Sequence, residues 1–170
     1  MFRVVVVCVL GGVCVVVRLV VLLGRSPGVL RDVLCGLLGV GERVELVYVV
    51  GTMDSLFDEA ERVLFGCPCG GLEGVRVERV VLPYRDVDSL EKLFHFRSTI
   101  RRLIDGRTVV DVTGGRKLMS VGATLQAERE GARVSYLLIP PEELERISRE
   151  CRPDKDPCKC TAQKAKLIMF

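Results

Sequence analysis

The chain has 170 residues, enough for one domain and too few for two of full size. Apolar residues make up 49% and charged residues 28%, which supports a packed core and excludes overall disorder. The net charge of +3 is too small for binding nucleic acid by bulk charge, and the one histidine excludes any mechanism that needs two.

Val4 to Leu23 is a nearly unbroken apolar run, VVVVCVLGGVCVVVRLVVLL. Its length suits a membrane span, but Arg18 lies inside it and Gly11-Gly12 interrupts it. A secretory signal fits poorly, because only Arg3 precedes the run and no small-x-small cleavage site follows. The valine bias fits buried strand better. Residues 16–23 therefore read as the first strand and residues 1–15 as an extension of unclear status, with a cytoplasmic protein and no membrane as the expectation.

Next comes Gly24-Arg25-Ser26-Pro27-Gly28, where Ser26 as N-cap and Pro27 at the first helical position open a helix that Gly39 and Gly41 close. Val44–Val50 is a second strand and Asp54–Phe65 an acid-first amphipathic helix. Val75–Leu82 is a third strand, and Asp88 with Glu91 forms a capping box for a helix reaching Ile104. Thr108–Val112 is a fourth strand, followed by Thr113-Gly114-Gly115 and a helix from Arg116 to Glu130. Val134–Ile139 is a fifth strand, stopped by Pro140-Pro141. Residues 141–170 hold a short helix and a polar, cysteine-bearing tail. Strand and helix alternate five times, which predicts a Rossmann-like α/β fold: a doubly wound, mainly parallel sheet of five or six strands over residues 16–140. In the order 3-2-1-4-5 the first and fourth strands are neighbours, and ligands bind at their carboxyl ends.

The two most unusual loops fall at those ends. GRSPG and TGGRK both place glycines and a hydroxyl at a helix N-terminus and add cations, Arg25 in one and Arg116 and Lys117 in the other. Uncapped N–H groups and the positive helix end favour an anion, and glycines let the backbone approach it. Side by side, the loops suit more than one phosphate. Neither G-x-x-x-x-G-K-[ST] nor G-x-G-x-x-G is present, so ATP hydrolysis and dinucleotide binding find no motif.

G-x-S-P-G after a first strand with T-G-G-R-K-x-M-S after a fourth resembles the CARF family, the CRISPR-associated Rossmann-fold proteins, and within it the small stand-alone ring nucleases. The resemblance covers residues 16–140. It implies a two-fold homodimer that binds cyclic oligoadenylate, above all cyclic tetra-adenylate, and cleaves it without a metal or cofactor to switch off type III CRISPR signalling. A non-catalytic sensor of the same ring is the alternative. By position the resemblance assigns Ser26 and Lys117 to catalysis, and Thr113, Gly114, Gly115 and Arg116 to the phosphate turn. Gly24, Arg25, Pro27 and Gly28 complete the ligand loop, with Arg25 departing from the commoner threonine.

Other features read more plainly. Cys8, Cys14 and Cys35 are small buried hydrophobes, whereas for Cys67, Cys69, Cys151, Cys158 and Cys160 a disulfide and a metal clip both stay open. His95 is structural, Met119 is core, and Arg97, Arg101 and Arg102 form a solvated helical stripe. Arg85 and Asp86 lie on the ligand side of the sheet. The lack of Asn and the presence of only Gln126 and Gln163 point to a thermophile.

Overall fold

A computed structural model describes residues 16–170. The extension 1–15, with Cys8 and Cys14, lies outside the described residues. One sheet contains β1 (Val16–Leu23), β2 (Arg43–Gly51), β3 (Arg76–Val81), β4 (Thr108–Asp111), β5 (Arg133–Leu138) and β6 (Lys166–Met169). Its order is β3-β2-β1-β4-β5-β6, with the first five strands parallel and β6 antiparallel to β5. The helices are α1 (Gly28–Gly39), α2 (Phe57–Gly66), α3 (Leu90–Arg101), α4 (Lys117–Arg129) and α5 (Pro141–Glu150). The doubly wound expectation is borne out, and the strand order reverses between β1 and β4.

β1 is apolar except for Arg18 because both its faces are covered. Val17, Leu19, Val21 and Leu23 point to one core, with Val29, Leu30, Val33 and Leu34 of α1. Val20 and Leu22 point to the other, with Phe96 and Ile100 of α3 and Met119 and Ala123 of α4. Each such burial contributes about 1.5–3 kcal/mol, so a single charge does not prevent the run from folding inward. Arg18 escapes by reaching Asp105, 3.3 Å away, with both side chains more than a third exposed. Among the described residues no helix is long and apolar enough to cross a membrane.

Three local expectations need correction. α1 begins at Gly28 with Pro27 as its cap; Ser26 offers its carbonyl to Val29 N (3.3 Å) and its hydroxyl makes no cap bond. α3 is capped by Ser89, whose hydroxyl accepts from Lys92 N (3.3 Å), because Asp88 is engaged by Lys92 Nζ at 2.6 Å. Cys35 is no lone hydrophobe: it is bonded to Cys69. Cys67–Cys158 and Cys151–Cys160 are also disulfides, so every cysteine among the described residues is paired. The tail supplies β6, and Cys67–Cys158 fastens the segment before it to the end of α2. A four-residue edge strand has too little periodicity to stand out in a polar tail.

The parallel pairing of β1 with β4 brings their loops together. A Cβ on Gly24 would stand 2.4 Å from Gly114 O, and one on Gly114 would stand 2.3 Å from Leu22 O. Both positions therefore require glycine for close approach. Below the second loop lies Asp111, fully buried, accepting from Ser135 Oγ (2.8 Å) and Thr113 N (3.0 Å). Burial pushes its carboxyl up to about 6, against the pull of those hydrogen bonds.

Two outcomes are expected. Gly24→Ala should lose about 1–3 kcal/mol through backbone collision, whereas Gly39→Ala, with nothing within 4 Å, should be neutral or gain about 0.5–1 kcal/mol. Chemical denaturation checks this. Asp111 has a folded value of about 6 against an ordinary 3.8, so its contribution to stability is full below pH 4 and is lost as pH rises through 6. The stability of Asp111→Asn relative to the parent should therefore fall by up to about 3 kcal/mol between pH 7 and pH 4, at 1.36 kcal/mol per unit. A difference that does not move with pH would refute the assignment.

Candidate functional site

The loops after β1, β2, β3 and β4 form one connected rim. Leu56 N donates to Gly24 O (3.3 Å) and Ser55 Oγ donates to Leu23 O (2.7 Å), which ties the second loop to the first. Met53 N donates to Tyr84 O (3.1 Å), joining the second loop to the third. Arg116, at the end of the fourth loop, pairs with Asp86 of the third. Thr113 Oγ1 accepts from Leu137 N (2.7 Å), which fastens the fourth loop to β5. Ser120 of α4 donates to Val112 O (2.9 Å) and Gly115 O (3.2 Å).

Two helices start at the β1/β4 crevice, α1 and α4. Neither has a side-chain cap, and neither has an acidic residue in its first turn. The other three α-helices all carry acid there: Asp58 and Glu59 in α2, Glu91 in α3, and Glu142 and Glu143 in α5. Acid at a helix start is the ordinary stabilising choice. Its omission at these two positions leaves both positive helix ends without an anion from a side chain of their own first turn.

The expected site residues separate into three groups. Arg25, Ser26 and Lys117 are exposed, and among the described residues their side chains enter no ion pair or hydrogen bond. Gly24, Gly114 and Gly115 form the floor, with Gly115 pressed against Leu22 and Ser120. Thr113, Pro27 and Gly28 face inward. Thr113 is held between Leu137 and Asp111, Pro27 is buried, and the bare side of Gly28 is covered by the Cys160 carbonyl. Arg116 is half-buried, its charge met by Asp86.

Reading the sequence missed Asp111 and Ser55. Asp111 could have been found from its place two residues before Thr113, where a carboxylate can accept the turn's N–H. Ser55 carries no such signal. Asp86 had been placed on the ligand side, but its pairing with Arg116 depends on how the third loop crosses toward α4. His95 is exposed on α3 and lies against Tyr84, with Tyr84 Oη 3.3 Å from Nδ1 and the rings edge-on at 5.7 Å. It has no contact with the two glycine loops among its described hydrogen bonds. Met119 is buried, as expected. Among the described residues no group of three His, Cys, Asp or Glu is placed to hold a metal ion.

No family model matches the chain. The CRISPR system ring nuclease SSO2081 of Saccharolobus solfataricus is 30% identical over 144 residues, covering 82% of this chain and 81% of that protein. Csm6 of Enterococcus italicus, solved with cyclic hexa-2'-fluoro-hexa-dAMP, shares the fold with a TM-score of 0.58 at 10% identity, over 90% of this chain and 42% of its own. Can2 of Sulfobacillus thermosulfidooxidans, solved with cyclic tetra-adenylate, matches with a TM-score of 0.48 and 15% identity over 70% of this chain and 31% of its own. The chain thus spans less than half of either solved protein. The resemblance carried by the two loop motifs is borne out by the relative that matches over four-fifths of both lengths: the chain belongs to the CRISPR ring-nuclease family.

Proposed function

We propose that the protein binds cyclic tetra-adenylate over the β1/β4 crevice and opens it, removing the signal of type III CRISPR defence. The observation that carries this reading is the pair of acid-free, uncapped helix starts at loops in backbone contact, α1 and α4. Family membership supports ring opening. The choice of cyclic tetra-adenylate rests on the motif resemblance.

The reaction needs little from the protein beyond position and charge. A ribose 2'-oxygen attacks the adjacent phosphorus, the bond to the 5'-oxygen breaks, and a 2',3'-cyclic phosphate and a free 5'-hydroxyl result. The proton leaves the 2'-hydroxyl and one is taken up at the 5'-oxygen. Holding the attacking and leaving oxygens in line supplies much of the acceleration. Lys117, an unpaired point charge on the first turn of α4, stabilises charge on the phosphoryl oxygens. The Ser26 hydroxyl, not used as a cap, orients the phosphate. Arg25 adds a second free cation, while Gly114, Gly115 and Arg116 shape the anion turn. Thr113, Pro27 and Gly28 act through the loops' shape.

A ring with two-fold symmetry is best met by two copies of the site. Leu118, Val121 and Leu125 make an exposed apolar stripe along α4, beginning one residue after Lys117. Beside it a groove of about 550 Å³ is lined by Val112, Val134, Tyr136 and Phe170. A second copy seated on this stripe brings the two Lys117 side chains toward one ligand.

Incubation with labelled cyclic tetra-adenylate in the presence of chelator tests the reading. Linear products support it, and bound but uncut ring makes the protein a sensor. Lys117→Ala should slow single-turnover cleavage about a hundred- to a thousandfold, or about 2.7–4 kcal/mol, with a smaller loss of affinity. Cleavage by this variant at the parent rate once saturated would misplace the site. Val121→Glu puts charge on the apolar stripe and should give a folded monomer with cleavage lost, as read by light scattering and the same assay. A parent that is already monomeric and active would refute the two-copy site.

A further inference from the structure

The loop after β1 has little of its own to hold it. Ser26 leaves its hydroxyl unused, Pro27 has no N–H, and Gly28 has no side chain. What lies on it is the tail. A Cβ on Gly28 would stand 1.9 Å from Cys160 O, 2.8 Å from the Cys160 carbonyl carbon and 3.4 Å from Thr161 Cα. The backbone of residues 160–161 thus rests directly on the first residue of α1, and both residues are buried.

This strap is fastened from several sides. Ala162 N donates to Asp32 Oδ2 (2.7 Å), and Asp32 stands one helical turn after Gly28. Arg146 Nη2 donates to Thr161 O (2.7 Å), and Gln163 N donates to Glu143 Oε2 (3.1 Å). Cys151–Cys160 closes the strap on the end of α5, and Cys67–Cys158 ties it to the end of α2. Asp32 is a buried carboxylate turned toward the strap, an arrangement that general packing does not require.

We propose that residues 160–162 are a positioning element for the ligand loop, and that the disulfides holding them make the placement of Arg25 and Ser26 dependent on redox state. The functional part rests on the reading of Arg25 and Ser26 as ligand contacts; the mechanical part does not. Opening one bridge takes two electrons and two protons from a dithiol. The S–S bond breaks, two cysteine thiols form, and the dithiol closes to its own cyclic disulfide. With both Cys151–Cys160 and Cys67–Cys158 opened in this way, the strap is fastened by hydrogen bonds that water can replace, and the loop it covers gains freedom.

The test uses the full chain, oxidised and then reduced with dithiothreitol below its melting temperature, with bridge opening confirmed by mass. Amide hydrogen exchange over residues 24–30 should rise about tenfold or more, while residues 113–118 stay unchanged. Affinity for cyclic tetra-adenylate should fall about tenfold, with a smaller change in the saturated single-turnover rate. Gly28→Ala, which displaces the strap with the bridges intact, should reproduce the loss of affinity in oxidised protein. Unchanged exchange over residues 24–30 after full reduction would overturn the proposal. So would an equal rise over residues 113–118, which would make the bridges a general staple. Faster exchange confined to residues 24–30 in a protein that never binds the ring would uphold the strap and refute the functional reading instead.

Discussion

The close approach of Gly24 to Gly114 is the contact on which the rest of the site depends. Two peptide backbones meet where any Cβ would collide with a carbonyl oxygen. That approach needs β1 and β4 to be neighbours, and they are neighbours because the strand order reverses between them. It also needs a central strand buried on both faces, so that helices can start from the same edge above each face. α1 leaves toward one core and α4 toward the other. Their N-termini therefore converge at the crevice while their bodies lie on opposite sides of the sheet. A ligand at the crevice meets two helix starts at once, which a single strand-to-helix turn does not offer.

Charge around the crevice is arranged in layers. The helix starts carry no acid, yet two carboxylates lie close behind: Asp86 on Arg116 and Asp111 under Thr113. Each holds a part of the site in place, and each opposes an incoming anion. The cations of the crevice therefore differ. Arg116 is paired with Asp86, whereas Lys117 and Arg25 are exposed and have no such partner among the described residues. Asp111 carries least negative charge below the pH to which burial has moved its titration, about 6.

Much of this was legible in the residues themselves. β1 was legible because eight apolar or snorkelling residues end at a glycine and a Ser-Pro helix start. The strand order follows from alternation and handedness, and it alone puts Gly24 and Gly114 on one edge. Lys117 and Ser26 could be singled out by position alone. What was not legible was non-local. The pairing of Cys35 with Cys69 depends on how α1 packs, and spacing carries no record of it. β6 is held by one antiparallel neighbour at the end of a cysteine-bridged tail, not by a hydrophobic period of its own. Gly28 looked like a ligand-facing glycine, because a sequence cannot distinguish a bare position made for phosphate from one made for another stretch of backbone.

The two halves of the site are supported in different ways. The turn after β4 is held by its own neighbourhood: Asp111 and Ser135 below, Ser120 ahead, Leu137 beside it. Those groups lie within or next to the strands and helix that the turn connects. The loop after β1 has spent its residues differently. Proline removes a donor, glycine removes a side chain, and serine and arginine are turned outward. Its support comes from elsewhere: from Leu56 N and Ser55 Oγ on the carbonyls of Gly24 and Leu23, and from residues 160–162, more than a hundred positions away in sequence. Bringing so distant a segment against the loop costs closure entropy, which grows slowly with the intervening chain. The Cys67–Cys158 bridge, with a sequence separation of 91, supplies that closure. The outward-facing side chains of the first loop and the cysteines of the tail are thus two sides of one constraint: a loop that turns its polar side chains away from the fold is held by backbone contacts and by a segment from elsewhere in the chain.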